Sequence, residues 1–192
     1  MSPTEIISAG GVVAAPAGTV FGLFADPFNA TAVEKIFALK GREHAKTLLL
    51  NACDVKALSA IAVLSEAEEK ILISYDITLI LSAKPGNKLA PGIVRGGEIG
   101  VRIPREPALR ELLAAHPILT STSANQAGAA PAMTAREAAA IFPTLAVIEE
   151  IVPQTGTPST IAKIINGKVE ILRQGSVDAN KIEFILDFES NK

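Results

Sequence analysis

A chain of 192 residues suits one domain with a real core, and its 48% hydrophobic and 20% charged residues set it apart from disordered chains. A formal charge of -2 excludes a protein that coats nucleic acid with a uniformly basic surface, so any RNA contact must come from a local patch. Cys53 is the only cysteine, which excludes an intrachain disulfide and a thiolate-rich zinc site and leaves a small core residue as its default role.

The opening MSPTEIISAGG has neither the basic nor the apolar stretch of a secretory signal, and no run reaches the roughly 18 apolar residues of a membrane span. The expectation is a single domain over residues 1–192, working in the cytoplasm with no membrane partner. Gly10-Gly11-Val12-Val13-Ala14-Ala15 reads as a buried strand ending at Pro16. Thr31 and Glu34 have the spacing of a capping box, which predicts a helix to Lys40, ended by Gly41. Thr47 to Asn51 is a second strand. Asp54 to Ser74 is helical, as one helix or two, with another capping box at Ser65 and Glu68. Ile77 to Leu81 is a strand, and Lys84 to Gly92 is loop chemistry.

Ile99 to Ile103 alternates like a strand, and Pro107 fits the first turn of a helix to Ala115. Ile118 to Ser123 is a further strand, and Thr134 with Glu137 opens a helix to Phe142. Thr160 to Ile165 and Lys168 to Leu172 flank Asn166-Gly167, a strong hairpin signal. Alternating strands and helices with a late hairpin predict an α/β fold with a mixed sheet.

Four groups of residues could carry chemistry. Lys40 lies four residues after Ile36, on the inward face of its helix, with Arg42 and Lys46 just beyond. Such cations serve either the helix dipole or a polyphosphate. Ser121-Thr122-Ser123-Ala124-Asn125 ends an apolar strand, where its hydroxyls and amide suit a ligand or a turn. Ser159 and Arg173 stand nearly symmetric about Asn166-Gly167, so a hairpin brings them to one end of a sheet. Arg102 interrupts an apolar strand and needs either an anion or a solvent face. The phosphate-loop, dinucleotide and nucleophile-elbow motifs are absent, and His44 and His116 lack metal-ligand spacing. With no Trp and 4% aromatics, a stacking platform for single-stranded RNA has little support.

Taken in order, GGVVAAPAGTVFGL, ALKGR, VRIP, STSAN, PSTI and ILRQG resemble the YrdC family, over about Gly10 to Gly175. Its signature of Lys-x-Arg followed by Ser-x-Asn falls on Lys40, Arg42, Ser123 and Asn125. The resemblance implies a twisted mixed sheet flanked by helices around a large concave cavity. It implies threonylcarbamoyl-AMP synthesis: threonine and bicarbonate form a carbamate, ATP is attacked at its α-phosphate, and pyrophosphate leaves. It also implies magnesium on the phosphates, and partner proteins that use the product to modify tRNA, with contact to tRNA itself left open. By motif position, Lys40, Arg42, Lys46, Ser123, Asn125 and Arg173 would face the nucleotide, with Lys40 and Arg42 catalytic. Thr19, Asn51, Arg102, Ser121 and Ser159 would line the threonine site, with Arg102 on its carboxylate.

The chain also differs from the family's usual text. Ala17 replaces the first threonine of Pro-Thr-x-Thr, and Asn51 stands where histidine is frequent. Ser74-Tyr75-Asp76-Ile77 replaces a Pro-Gly-Pro turn, and Glu98 sits where a small hydroxyl residue is common, close to the expected phosphates. These differences keep two alternatives open, a nucleotide- or RNA-binding relative without turnover and the same chemistry on another amine.

Overall fold

In the computed structural model, which describes residues 1–41 and 47–190, the apolar runs pair into one nine-stranded sheet. The strands are β1 (Val13–Pro16), β2 (Phe21–Ala25), β3 (Leu49–Ala52), β4 (Thr78–Ser82), β5 (Glu98–Arg102), β6 (Ile118–Ser123), β7 (Ala146–Val147), β8 (Ile161–Ile165) and β9 (Lys168–Arg173). Their order across the sheet is β7-β1-β2-β6-β3-β5-β4-β8-β9. The sheet is mixed: β6 runs antiparallel between β2 and β3, while β3 and β5 are parallel. The helices are α1 (Pro3–Ser8), α2 (Ala30–Lys40), α3 (Val55–Ser59), α4 (Glu66–Ser74), α5 (Pro107–Ala115), α6 (Ala135–Ile141) and α7 (Ala179–Ser190).

Strand alternation divides the apolar residues between two cores. Ala14, Leu23, Leu50 and Val101 face the larger one, which takes Val33, Ile36 and Phe37 of α2, Ile71 and Leu72 of α4, and Ile182 and Leu186 of α7. Val13, Ala15, Phe24 and Leu119 face the other way and pack with Ile7 of α1 and Leu109, Leu112 and Leu113 of α5. That second layer covers only part of its face. Where it stops, the same face continues through Ser121, Leu49, Asn51 and Arg102, and this bare stretch is the floor of a cavity.

Several local expectations hold in detail. Ser65 and Glu68 form a reciprocal capping box, α5 runs from Pro107 to Ala115, and Gly41 ends α2 in the left-handed conformation at φ 56°. Asn166 and Gly167 take φ of 51° and 75°, as a two-residue turn between β8 and β9 demands. Others shift. The α2 cap is Asn29, whose side chain accepts from the Ala32 N–H, so the helix starts a step before the Thr31 box. Thr134 caps α6, but the Glu137 carboxylate accepts from Met133 N–H rather than closing the box on Thr134. Strand β2, buried on both faces like β1, was not among the strands expected from sequence.

Candidate functional site

The cavity has a volume of about 720 Å³, inside the roughly 300–1,000 Å³ range of small-molecule sites. Its floor follows from sheet register. Gly22 pairs with Ser123 and Phe24 with Ser121. Leu49 also pairs with Ser121, and Asn51 pairs with both Leu119 and Arg102. With a period of two, these side chains all stand on one face. Two glycines keep the floor low. A Cβ on Gly100 would come within 2.5 Å of the Leu49 side chain, and one on Gly22 within 2.8 Å of the Phe24 ring.

Seven of the residues expected from sequence line this one cavity: Thr19, Asn51, Arg102, Ser121, Ser123, Ser159 and Arg173. Asn51 Nδ2 donates to Ser121 Oγ at 2.7 Å, in a buried bond that fixes both groups on the floor. Ser159 Oγ lies 2.9 Å from Thr78 Oγ1. Arg173 closes over Ser159, with Nη2 donating to its carbonyl at 2.8 Å and Nε at 3.2 Å. The hairpin places them as symmetry about the turn suggests, although the partner of Arg173 in the ladder is Ile161, next to a bulge. Burial, and then the like charge of Arg102, hold the Arg173 guanidinium below the usual arginine range.

Lys40 and Asn125 stand just outside this lining. Lys40 is 3% exposed, and its Nζ donates to Ser123 O at 2.5 Å, Asn125 O at 3.0 Å and Asn125 Oδ1 at 2.9 Å. Ser123 Oγ donates to the same Oδ1 at 2.6 Å, while Asn125 Nδ2 reaches the carbonyls of Gln126 and Ala129, both at 2.8 Å. The ammonium therefore buttons the end of β6 to the loop behind it. Arg42 and Lys46 lie outside the described residues.

Two charges sit differently from the sequence expectation. Glu98 is not on the cavity wall, and its carboxylate pairs with Lys163 on the neighbouring hairpin. Arg102, expected to hold a ligand's carboxylate, already holds one. Its Nε and Nη2 donate to Asp76 Oδ1 and Oδ2 at 2.5 and 2.6 Å, and Nη2 also reaches the Ala17 carbonyl at 2.8 Å.

Sequence reasoning missed three supports. Gln154 Oε1 accepts from the N–H groups of Ala17 and Gly18, at 3.1 and 2.7 Å, and so fixes the loop before Thr19. Thr160 Oγ1 donates to Val177 O and accepts from Gly175 and Val177 N–H, which holds the turn after Arg173. Arg95 lines the cavity as a further cation. Only the PSTI and ILRQG text hinted at the second of these.

The Sua5/YciO/YrdC family model, described as telomere recombination, matches residues 5–175. The chain belongs to that family.

A Methanocaldococcus jannaschii relative is 32% identical over 185 residues, 93% of this chain and 86% of its own length. The threonylcarbamoyl-AMP synthase of Pseudoalteromonas atlantica is 38% identical over 143 residues, 70% of this chain and 75% of its own. The archaeal relative carries that same name provisionally. Among solved structures, P. abyssi Sua5, crystallised with L-threonine, superposes with a TM-score of 0.82 at 24% identity. The match covers 95% of this chain but 55% of that longer one, and it establishes the fold. Lys40 fastens Ser123, the last residue of β6, to Asn125 in the loop that follows.

Proposed function

We propose that this chain is a threonylcarbamoyl-AMP synthase, which makes threonylcarbamoyl-AMP and pyrophosphate from threonine, bicarbonate and ATP. The observation that carries the reading is the single cavity in which seven residues expected from the family pattern come together, in a chain 32% identical to a synthase-named relative over 93% of its length.

The chemistry asks for no covalent intermediate. The amine nitrogen of threonine bonds to the carbon of bicarbonate, and water is lost to leave a carbamate. A carbamate oxygen then attacks the α-phosphorus of ATP, and the bond to the β-phosphate oxygen breaks to release pyrophosphate. The protein's part is to align the reactants and to neutralise charge. Arg173, with Ser123, Asn125 and Lys40 behind them, is assigned to the nucleotide, together with Arg42 and Lys46 from the sequence pattern. Lys40 acts here by shaping the end of β6, through its bonds to Ser123 and Asn125. Thr19, Asn51, Ser121, Ser159 and Arg102 are assigned to the amino acid.

Among the described residues no three His, Cys, Asp or Glu side chains group as metal ligands. Magnesium is assigned to the substrate, as MgATP, bound through the phosphates. Transfer of the product to tRNA-modifying partner proteins, and a cytoplasmic place of work, belong to the same proposal. Direct contact with tRNA would need a local basic patch on a chain whose formal charge is -2. No helix among the described residues is long and apolar enough to cross a membrane.

Pyrophosphate release tests the reading. It should require ATP, threonine and bicarbonate together. Release that is indifferent to threonine, or no release at all, would overturn it.

A further inference from the structure

Arg102 is 6% exposed, on the cavity floor, in a strand whose partner positions are Asn51 and its neighbours. A guanidinium binds a carboxylate best through two parallel N–H donors on one edge. Here that edge is taken. Nε and Nη2 meet the two oxygens of Asp76 at 2.5 and 2.6 Å, and the second Nη2 hydrogen meets Ala17 O at 2.8 Å. Asp76 comes from the link between α4 and β4, outside the cavity lining, with its side chain 30% exposed. Its carboxylate lies beside the Ala17-Gly18 loop: a Cβ on Gly18 would stand 3.8 Å from Asp76 Oδ2 and 3.7 Å from Arg102 Nη2. Gln154 and the backbone bond from Gly156 N–H to Thr19 O pin that loop from the other side. Of the guanidinium's nitrogens, Nη1 alone takes part in none of these bonds.

We propose that Asp76 is a specificity-determining residue that stands in for a substrate carboxylate on Arg102. The inference rests on the reading of an amino-acid site on this floor. Because the bidentate edge is filled by a carboxylate of the chain itself, a ligand's carboxylate meets Arg102 only through Nη1. It does so beside a second negative charge that already balances the cation. Recognition of the acid group is weakened, while the hydroxyl and amide contacts of the floor are left intact. The chain therefore selects its amine-bearing substrate with little regard to whether the group next to the amine is an acid or an amide.

The test is calorimetric binding of L-threonine and L-threoninamide, and of L-serine and L-serinamide, to the wild type, Asp76→Asn and Asp76→Ala. The wild type should bind acid and amide within about threefold of each other. Each variant should bind the acids about tenfold more tightly, the size of one charge-assisted hydrogen bond, and the amides unchanged. Melting curves of the three proteins check that the fold is kept; Asp76→Asn preserves shape and one acceptor. A wild type that already prefers the acids by tenfold would overturn the proposal. So would variants whose acid-to-amide ratio is unchanged, or whose acid binding weakens, because Asp76 would then only be propping up Arg102. Pyrophosphate release by the wild type is scored separately. Threonine turnover with an unshifted ratio removes the role of Asp76 and keeps the synthase. A shifted ratio without threonine turnover removes the synthase reading and keeps the role of Asp76. Absence of amino-acid binding in all three proteins overturns both.

Discussion

Replacing Lys40 with methionine separates two roles that a buried lysine can have, a charge for phosphates and a fastener for the protein. Methionine keeps the length and apolar stem and removes the ammonium. Three acceptors then lose the ammonium: Ser123 O, Asn125 O and Asn125 Oδ1, now at 2.5, 3.0 and 2.9 Å, although Ser123 O keeps the Asn125 N–H and Asn125 Oδ1 keeps the Ser123 hydroxyl. A hydrogen bond from a charged group contributes about 1.5–3 kcal/mol. The bonds are only partly buried, so water can replace some of them, and burying the ammonium itself carries a cost that methionine relieves. One to two bonds' worth remains, about 2–4 kcal/mol. For a chain of this length that lowers the melting temperature by about 4–15 °C, and it frees the Ser123–Asn125 turn. The assay is a pair of measurements on Lys40→Met, thermal melting followed by circular dichroism and the apparent KM for ATP. Both should move, the first downward and the second upward. A melting temperature within a degree or two of wild type, with the ATP effect alone, would refute the reasoning that Lys40 works as a fastener.

Thr160→Val keeps the shape of a fully buried side chain and removes the hydroxyl shared by Val177 O, Gly175 N–H and Val177 N–H. A loss of about 2–3 kcal/mol in a urea titration is expected, with a raised KM for ATP as Arg173 loses its supporting turn; an unchanged midpoint would count against it. The Cys53 thiol is pushed above its ordinary range, first by burial and then by Asp54. Its thiolate is therefore scarcer than that of a free cysteine at the same pH. Alkylation near pH 8 should run slower than for a free thiol and should accelerate only at higher pH or in denaturant. A rate equal to the free thiol's would show that the environment is not what raises it.

How much of this was legible from the chain depends on the kind of signal. Turns and caps are local, so Gly41, Ser65 with Glu68, and Asn166-Gly167 were readable and formed as read. Strand β2 was not: its apolar run is short, carries Gly22 and, like β1, lacks alternation, so periodicity alone does not set it apart from another buried segment. The site residues were legible as a set of separated motifs, yet their contacts were not. Nothing in the spacing of Asn51 and Ser121, 70 positions apart, predicts the bond between them. Register decides it. Arg102 gives the sharpest case. The sequence shows a cation in an apolar strand that needs an anion or a solvent face, and the family pattern supplies a substrate carboxylate. The structure supplies Asp76, 26 positions earlier, in the Ser74-Tyr75-Asp76-Ile77 link that departs from the family's usual turn. Likewise Glu98 reads as a threat to phosphates only until Lys163 is seen beside it. Charge partners across a sheet are products of topology, and topology is where a linear reading is weakest.

The position of β6 has a consequence for how the molecule comes into being. Its neighbours, β2 and β3, leave the ribosome far ahead of it, and until it slides between them they share no edge. Roughly a hundred residues must be gathered before those ladders close, and such long-range closure is slow. The strand that completes the sheet also carries Ser121 and Ser123. During synthesis, then, the half-made chain holds open two strand edges awaiting the same insertion, and the moment that closes both is also the moment at which the cavity acquires its floor.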